Sequence, residues 1–234
     1  MKRFLIGFLA TIGALALLLV VVAAGAGFWL FRSFADEPLP ERMVLTVDLS
    51  EPLEEAVDLE PLAALSLEQP LEVSELVLAL EQAAQDARVA GLVARLDATD
   101  HGFAVAEEVR AAVQAFAASG RPTVAWADSF GELGAGNEGY FIATAFDKIS
   151  LQPGGQVGLT GLVAEVPFVK PLLDRLGIQA EVVRRSDYKT ALDSVTETGL
   201  TEANAAMLNQ LLDGLYGTLV TAIAETRELA SSEV

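Results

Sequence analysis

From Phe4 to Phe31 the chain carries no charged or strongly polar side chain, and beyond Arg32 it breaks into short apolar runs separated by charges, glycines and prolines. The first run is about 28 residues long, whereas ~20 helical residues cross a bilayer core. It predicts a transmembrane anchor over residues 1–32. A secretory signal would carry ~7–15 apolar residues before a small-residue cleavage site. The run here is about twice that, although Ala23-Ala24-Gly25-Ala26-Gly27 offers small residues to a protease. Trp29 and Phe31 stand where interfacial aromatics anchor a helix, just before Arg32. Lys2 and Arg3 precede the run and hold the N-terminus in the cytoplasm. Arg32 weakens that asymmetry, but Asp36 and Glu37 follow it closely. The remainder is expected on the outer, periplasmic side of the cytoplasmic membrane. Residues 33–42, with two prolines and alternating charges, read as a linker.

The later runs are shorter and alternate in period. Met43 to Leu49 reads as a strand. Residues 50–70 are acidic, leucine-rich and broken by prolines, and receive no assignment. Ser74 is placed to cap a helix running to about Asp86, with Val73 and Leu78 as a hydrophobic staple. Gly91 to Asp97 is the next strand. Val105, Val109, Val113 and Phe116 recur at helical spacing and predict a helix from Ala104 to Ser119, ended by Gly120 and Pro122. Thr123 to Ala127 is a strand, Glu138 to Phe146 a helix and Lys148 to Leu151 a strand. Val163–Val166 and Ala180–Val183 are expected as short strands around a helix, Phe168–Leu176. A long helix follows from Thr201 to about Glu228. Strand, helix and strand with short links make parallel βαβ units, so residues 43–234 predict an α/β domain with a mostly parallel sheet.

Charge and composition then narrow the chemistry. The net charge is −18. Setting aside Lys2, Arg3 and Arg32 leaves 12 basic against 33 acidic residues, a net of −21 beyond the anchor. Such a surface repels phosphate backbones, so no nucleic acid is expected as a partner. Without cysteine there is no disulfide, thiol catalysis or thiolate-bound metal. The single histidine, His101, rules out a multi-histidine metal site. No metal or cofactor is expected.

Four segments could carry chemistry. Gly131–Gly139 (GELGAGNEG) leads into a helix and could present backbone N–H groups to an oxyanion, or be a plain flexible turn. It lacks the spacing for nucleotide binding. Asp97, Asp100 and His101 lie at a strand end and could orient a base, although no serine is tied to them and a solvated aspartate-rich turn explains them as well. Pro153-Gly154-Gly155 could present donors or simply turn the chain. Arg184–Asp193 (RRSDYKTALD) contains Lys189. A solvated lysine, with a free pKa of ~10.4, is a poor base at pH 7, and only burial makes its amine usable. On local residue types alone, Lys189 reads as an exposed structural lysine.

Taken in order, AQDARVAGLV, EGYFIATAFDKI and SDYKTALD resemble the SppA-type signal peptide peptidases (protease IV), serine peptidases of the ClpP/crotonase-like fold. The likeness covers nearly all of the chain beyond the anchor. In that family a lysine activates the serine nucleophile, and the lysine lies in a motif like Tyr188-Lys189-Thr190-Ala191. The resemblance therefore makes Lys189 the candidate catalytic base, taking the serine proton on attack and returning one to the leaving amine. The nucleophile does not follow. Shorter family members carry Ser-Gly-Gly-Tyr-Tyr-like residues where this chain has Asn137-Glu138-Gly139-Tyr140-Phe141, so Asn137 stands in the serine's place. The oxyanion loop departs too, with Ala98-Thr99-Asp100-His101-Gly102 where serine-bearing members have a Pro-Gly-Gly-type loop.

Longer members hold two similar domains, lysine in the first and serine in the second, and this chain resembles the first. The resemblance implies a membrane-anchored endopeptidase half-site acting on hydrophobic or signal peptides. It also implies a homo-oligomer and a serine-bearing C-terminal domain as partners. A catalytically silent, membrane-tethered scaffold or binding module of the same fold is the alternative. Acyl-CoA chemistry on the related crotonase fold is a weaker third, because no CoA site is identifiable.

Overall fold

In a computed structural model, the chain is described over residues 2–33, 39–55, 71–97, 101–132 and 134–234. It divides into two units, Met1–Glu41 and Arg42–Val234.

The first unit is helix α1, Lys2–Ser33. Its side chains are described over residues 13–29, all exposed. The expected anchor over residues 1–32 thus lies partly outside the residues whose side chains are described. Among the described residues no helix is long and apolar enough to cross a membrane.

The second unit is built on a four-stranded, wholly parallel sheet in the order β1-β2-β3-β4. The strands are β1 (Met43–Leu49), β2 (Val89–Leu96), β3 (Thr123–Ala127) and β4 (Lys148–Leu151). Helices α2 (Val73–Gln85), α3 (Phe103–Ala117) and α4 (Asn137–Ala143) make the three crossovers. The α/β class and the parallel sheet are those the alternating pattern predicts, and three of the four strands have the predicted limits.

Period-2 alternation decides which strand residues face the helices. Leu92, Ala94 and Leu96 of β2 are buried, as are Ala125 and Ala127 of β3. They join Leu76 and Leu80 of α2 and Val109, Val113 and Phe116 of α3 in one core. The alternate positions carry Asp48, Arg95 and Trp126, which lie in cross-strand register. There Arg95 pairs with Asp48 at 3.6 Å and Asp128 at 3.3 Å, and its guanidinium sits 5.4 Å from the Trp126 ring centre.

Local details differ from expectation. The residue capping α2 is Glu72, not Ser74; Ser74 lies inside the helix and donates to the Glu72 carboxylate at 3.2 Å. Leu78 is exposed, so the Val73–Leu78 staple does not form. Val163–Val166 and Ala180–Val183 form no strands. Both have strand-like composition, but neither finds a ladder partner among the described residues, and an unpaired extended segment is not a strand. Helix α5 (Lys170–Arg175) between them is shorter than predicted and has no buried residue.

The chain ends in the short helix α6 (Asp193–Thr196) and the long helix α7 (Glu202–Arg227). The Thr201 hydroxyl caps α7 by accepting from the Asn204 N–H at 3.2 Å. The far end of α7 docks on α4. Arg227 donates to the Tyr140 hydroxyl at 2.6 and 2.9 Å, and Thr226 donates to the Thr144 carbonyl at 2.9 Å.

Candidate functional site

The first cluster of candidate residues surrounds the N-terminus of α4. Six of its seven residues are buried, so the helix is threaded through the core. Such a position requires small residues where backbones meet. A Cβ on Gly139 would sit 2.0 Å from the Asp97 carbonyl oxygen, closer than any side chain allows. The preceding loop is not a flexible turn. Phe130 N–H donates to the Gln156 carbonyl, Gly158 N–H to the Phe130 carbonyl and Gly136 N–H to the Gly158 carbonyl, at 2.6–2.9 Å. The loop is stitched to residues 156–158, and the Gly136 amide that could have bound an anion is already used.

Asn137 opens α4 and is 4% exposed. Its Nδ2 donates to the Gly161 carbonyl at 2.7 Å, while its Oδ1 is buried with no hydrogen-bond partner among the described residues. An orphaned acceptor of this kind costs about 1–3 kcal/mol. An amide in this position holds a loop and cannot attack a carbonyl. The neighbouring Glu138 reaches across to α3. Its Oε2 accepts from the His101 and Gly102 N–H groups, each at 2.9 Å. Two adjacent amides converging on one oxygen is oxyanion-binding geometry, and here the oxygen belongs to the protein itself. The sequence reading missed Glu138; its position in the first turn of a helix that follows a glycine loop was the available signal.

His101 is buried rather than part of a solvated turn. Its Nδ1 accepts from the Leu53 N–H at 3.3 Å, which leaves Nε2 as the donor to the Leu49 carbonyl at 3.1 Å. Both ring nitrogens are thus spent on tying the end of β1 to the start of α3, and the ring has no nitrogen left to act as a base. Asp97 lies at the end of β2, whereas Asp100 lies outside the described residues. Ser129 is also structural, donating to the Gln156 carbonyl and accepting from the Gln156 N–H, both at 3.1 Å. Pro153-Gly154-Gly155 is a turn: Gly155 N–H donates to the Gln152 carbonyl at 2.9 Å, and Gly154 has φ +93°, as a type II turn requires.

Lys189 belongs to a second, separate region. It lies on the irregular segment between α5 and α6 and is exposed. Its backbone N–H donates to the Ser186 carbonyl at 3.1 Å. The burial that a lysine base needs is not supplied by the described residues of this chain. The surrounding segment is nevertheless held firmly. Asp193, 1% exposed, pairs with Arg184 at 2.6 Å and accepts from the Thr201 hydroxyl at 3.0 Å. Beside it a cleft of about 420 Å³ runs between Tyr188 and the first turn of α7, with Arg184 and Glu202 in its wall.

Comparison with known proteins places this geometry. The model of peptidase family S49 matches residues 115–234, which include α4, Asn137, Lys189 and α7. The chloroplastic serine protease SPPA of Arabidopsis thaliana is 27% identical over 144 residues, 62% of this chain and 20% of that protein. Protease 4 of Haemophilus influenzae is 25% identical over 161 residues, 68% of this chain and 25% of the relative. Protease 4 of Salmonella typhi is likewise 25% identical, over 163 residues. The chain thus spans a fifth to a quarter of the length of these relatives. Half of the chain fits the family model, including strands β3 and β4 of the parallel sheet, and the similar proteins are SppA-type proteases: the chain belongs to peptidase family S49.

Proposed function

We propose that this chain is the membrane-anchored, lysine-bearing part of a serine endopeptidase of Ser-Lys dyad type, acting on cleaved signal peptides and similar hydrophobic peptides. The observation that carries this reading is the pairing of a disabled nucleophile position with an outward-facing lysine. Asn137 is buried and bonded to the Gly161 carbonyl, the amide pair at the head of α3 is filled by Glu138, and Lys189 is exposed in its Tyr-Lys-Thr-Ala setting. A serine from a C-terminal domain or a neighbouring copy would approach Lys189 from outside and remove it from water. The amine then takes the Oγ proton as the serine attacks the peptide carbonyl, and returns a proton to the leaving amine.

Assembly is supported by exposed apolar side chains in the C-terminal part of the domain. Val163 is 82% exposed and Val183 wholly so, and Leu172, Leu176, Leu192 and Leu211 are exposed as well. Where such side chains are contiguous, they mark interaction surfaces. A homo-oligomer joining lysine and serine across a domain boundary would cover them. The uncharged run Phe4–Phe31 and the continuous helix Lys2–Ser33 support a single-pass anchor with the N-terminus in the cytoplasm and the main domain on the periplasmic side.

The test is reconstitution. The 234-residue chain alone should cleave no hydrophobic peptide substrate; cleavage should appear with the serine-bearing domain supplied and disappear with Lys189→Ala. Activity of the chain alone that survives Lys189→Ala would overturn the assignment. Correct assembly with no cleavage would instead favour the catalytically silent scaffold, a reading for which the self-occupied amide pair also speaks.

A further inference from the structure

Lys189 sits in a long segment with no helix or strand, running from residue 176 to Leu192 between α5 and α6, and Arg184 to Leu192 is its last part. Left to itself, such a segment samples many conformations, and an amine at its middle would have no fixed position. We infer that Arg184, Asp193 and Thr201 form a clamp that fixes the Lys189 segment, making Asp193 and Arg184 positioning residues for the base. The inference rests on the reading of Lys189 given above and adds to it the device that holds the base in place.

The bonds form a continuous chain. Arg184, at the start of that last part, donates through Nη1 to Asp193 Oδ1 at 2.6 Å. Asp193, at its end, accepts on Oδ2 from the Thr201 hydroxyl at 3.0 Å. That hydroxyl accepts in turn from the Asn204 N–H at 3.2 Å, inside the first turn of α7. Arg184 Nη2 also reaches Glu197 just past α6, at 3.3 Å. One pair of side chains therefore closes the segment into a loop and fastens that loop to the longest helix of the domain.

Burial makes the clamp strong. The Asp193 side chain is 2% exposed, whereas Arg184 is 35% exposed. A carboxylate so far from water is held by its charged partner, and removing that partner leaves a buried charge uncompensated. Each of its oxygens has one defined donor, which fixes its orientation. Inside the loop two local bonds flank Lys189: Lys189 N–H to the Ser186 carbonyl at 3.1 Å and Asp193 N–H to the Thr190 carbonyl at 2.9 Å. The backbone at Lys189 is thus set, while its side chain remains exposed for an incoming serine. No bond of the clamp involves the Lys189 amine, so its effect on chemistry is positional.

Positioning errors of about 1 Å cost up to ~100-fold in rate. The experiment uses this chain reconstituted with the serine-bearing domain and compares Lys189→Ala, Asp193→Asn, Arg184→Gln and Arg184→Lys with the unaltered protein. Asp193→Asn and Arg184→Gln should lower kcat about 10- to 100-fold with little change in KM. Arg184→Lys, which keeps the charge but not the fork, should recover part of the loss. The double variant should be no worse than the weaker single one, because the two side chains act as a unit. Arg184→Gln, at a half-exposed position, keeps the test decisive if Asp193→Asn fails to fold. If Lys189→Ala abolishes cleavage while folded Arg184→Gln retains full kcat, the clamp is overturned and the lysine base stands. If Lys189→Ala itself retains cleavage, the base assignment fails first. A loss confined to KM, or one that follows thermal stability without rescue by Arg184→Lys, would overturn the positioning role.

Discussion

Arg121 spends its whole guanidinium on three main-chain carbonyls. Nε donates to Val89, Nη1 to Ala84 and Nη2 to Asp86, at 2.7–2.8 Å. It satisfies the last turn of α2 and the start of β2 together, a task that needs a planar fork and cannot be done by an ammonium point charge. Arg121→Lys is therefore expected to cost about 2–3 kcal/mol, read as a lowered urea midpoint. Gly139 is constrained in the opposite way, by lack of room. Its substitution by alanine places a Cβ against the Asp97 carbonyl, and α4 must move away from the end of β2. Gly139→Ala should destabilise by about 1–3 kcal/mol in thermal unfolding, the usual cost of overpacking a core. Neither role follows from residue type. An arginine before a proline and a glycine in a helix are ordinary in sequence, and only the neighbouring backbones make them irreplaceable.

At the scale of elements, helix ends and strand partners decide what pattern leaves open. Asp86 follows α2, and its carboxyl is lowered to about 2, first by the side-chain hydrogen bonds from Arg88 and then by the Arg88 N–H. A carboxyl held below its unfolded value of 3.8 contributes stability that is fully present above that value and lost as pH falls through the folded one. An NMR titration should place its midpoint near 2, and Arg88→Ala should return it toward 3.8. Strands β1, β3 and β4 were legible to the residue because alternation and flanking breakers agree. The segments 163–166 and 180–183 have the same composition, yet remain unpaired: a strand is a relation between two chains, and sequence pattern specifies one side of it. Ser74 fails as a cap for a related reason. The chain enters α2 two residues earlier because Val73 is drawn into the core, and Val73 N–H is taken by the Glu54 carbonyl at 3.0 Å.

For the molecule as a whole, the proposed anchor over residues 1–32 is the feature most open to a direct test. Deleting residues 2–32 should move the protein from the membrane to the soluble fraction, and alkaline carbonate should fail to extract the undeleted chain. Extraction of the undeleted chain by carbonate would count against a spanning helix.

The sequence by itself determined the α/β class, the order of βα units, the limits of three strands, the absence of a serine at position 137 and the candidacy of Lys189. The fold and its strand limits depend on periodicity and local breakers, and the candidacy of Lys189 on the family resemblance carried by its motif, all written along one dimension. Tertiary structure alone decided that His101 is a buried tie, that Glu138 occupies the amides at the head of α3, and that Arg184, Asp193 and Thr201 converge behind the lysine. Each of those joins residues between 8 and 52 positions apart. Burial and hydrogen-bond partnership are properties of such distant meetings, and no local pattern of residue types encodes them.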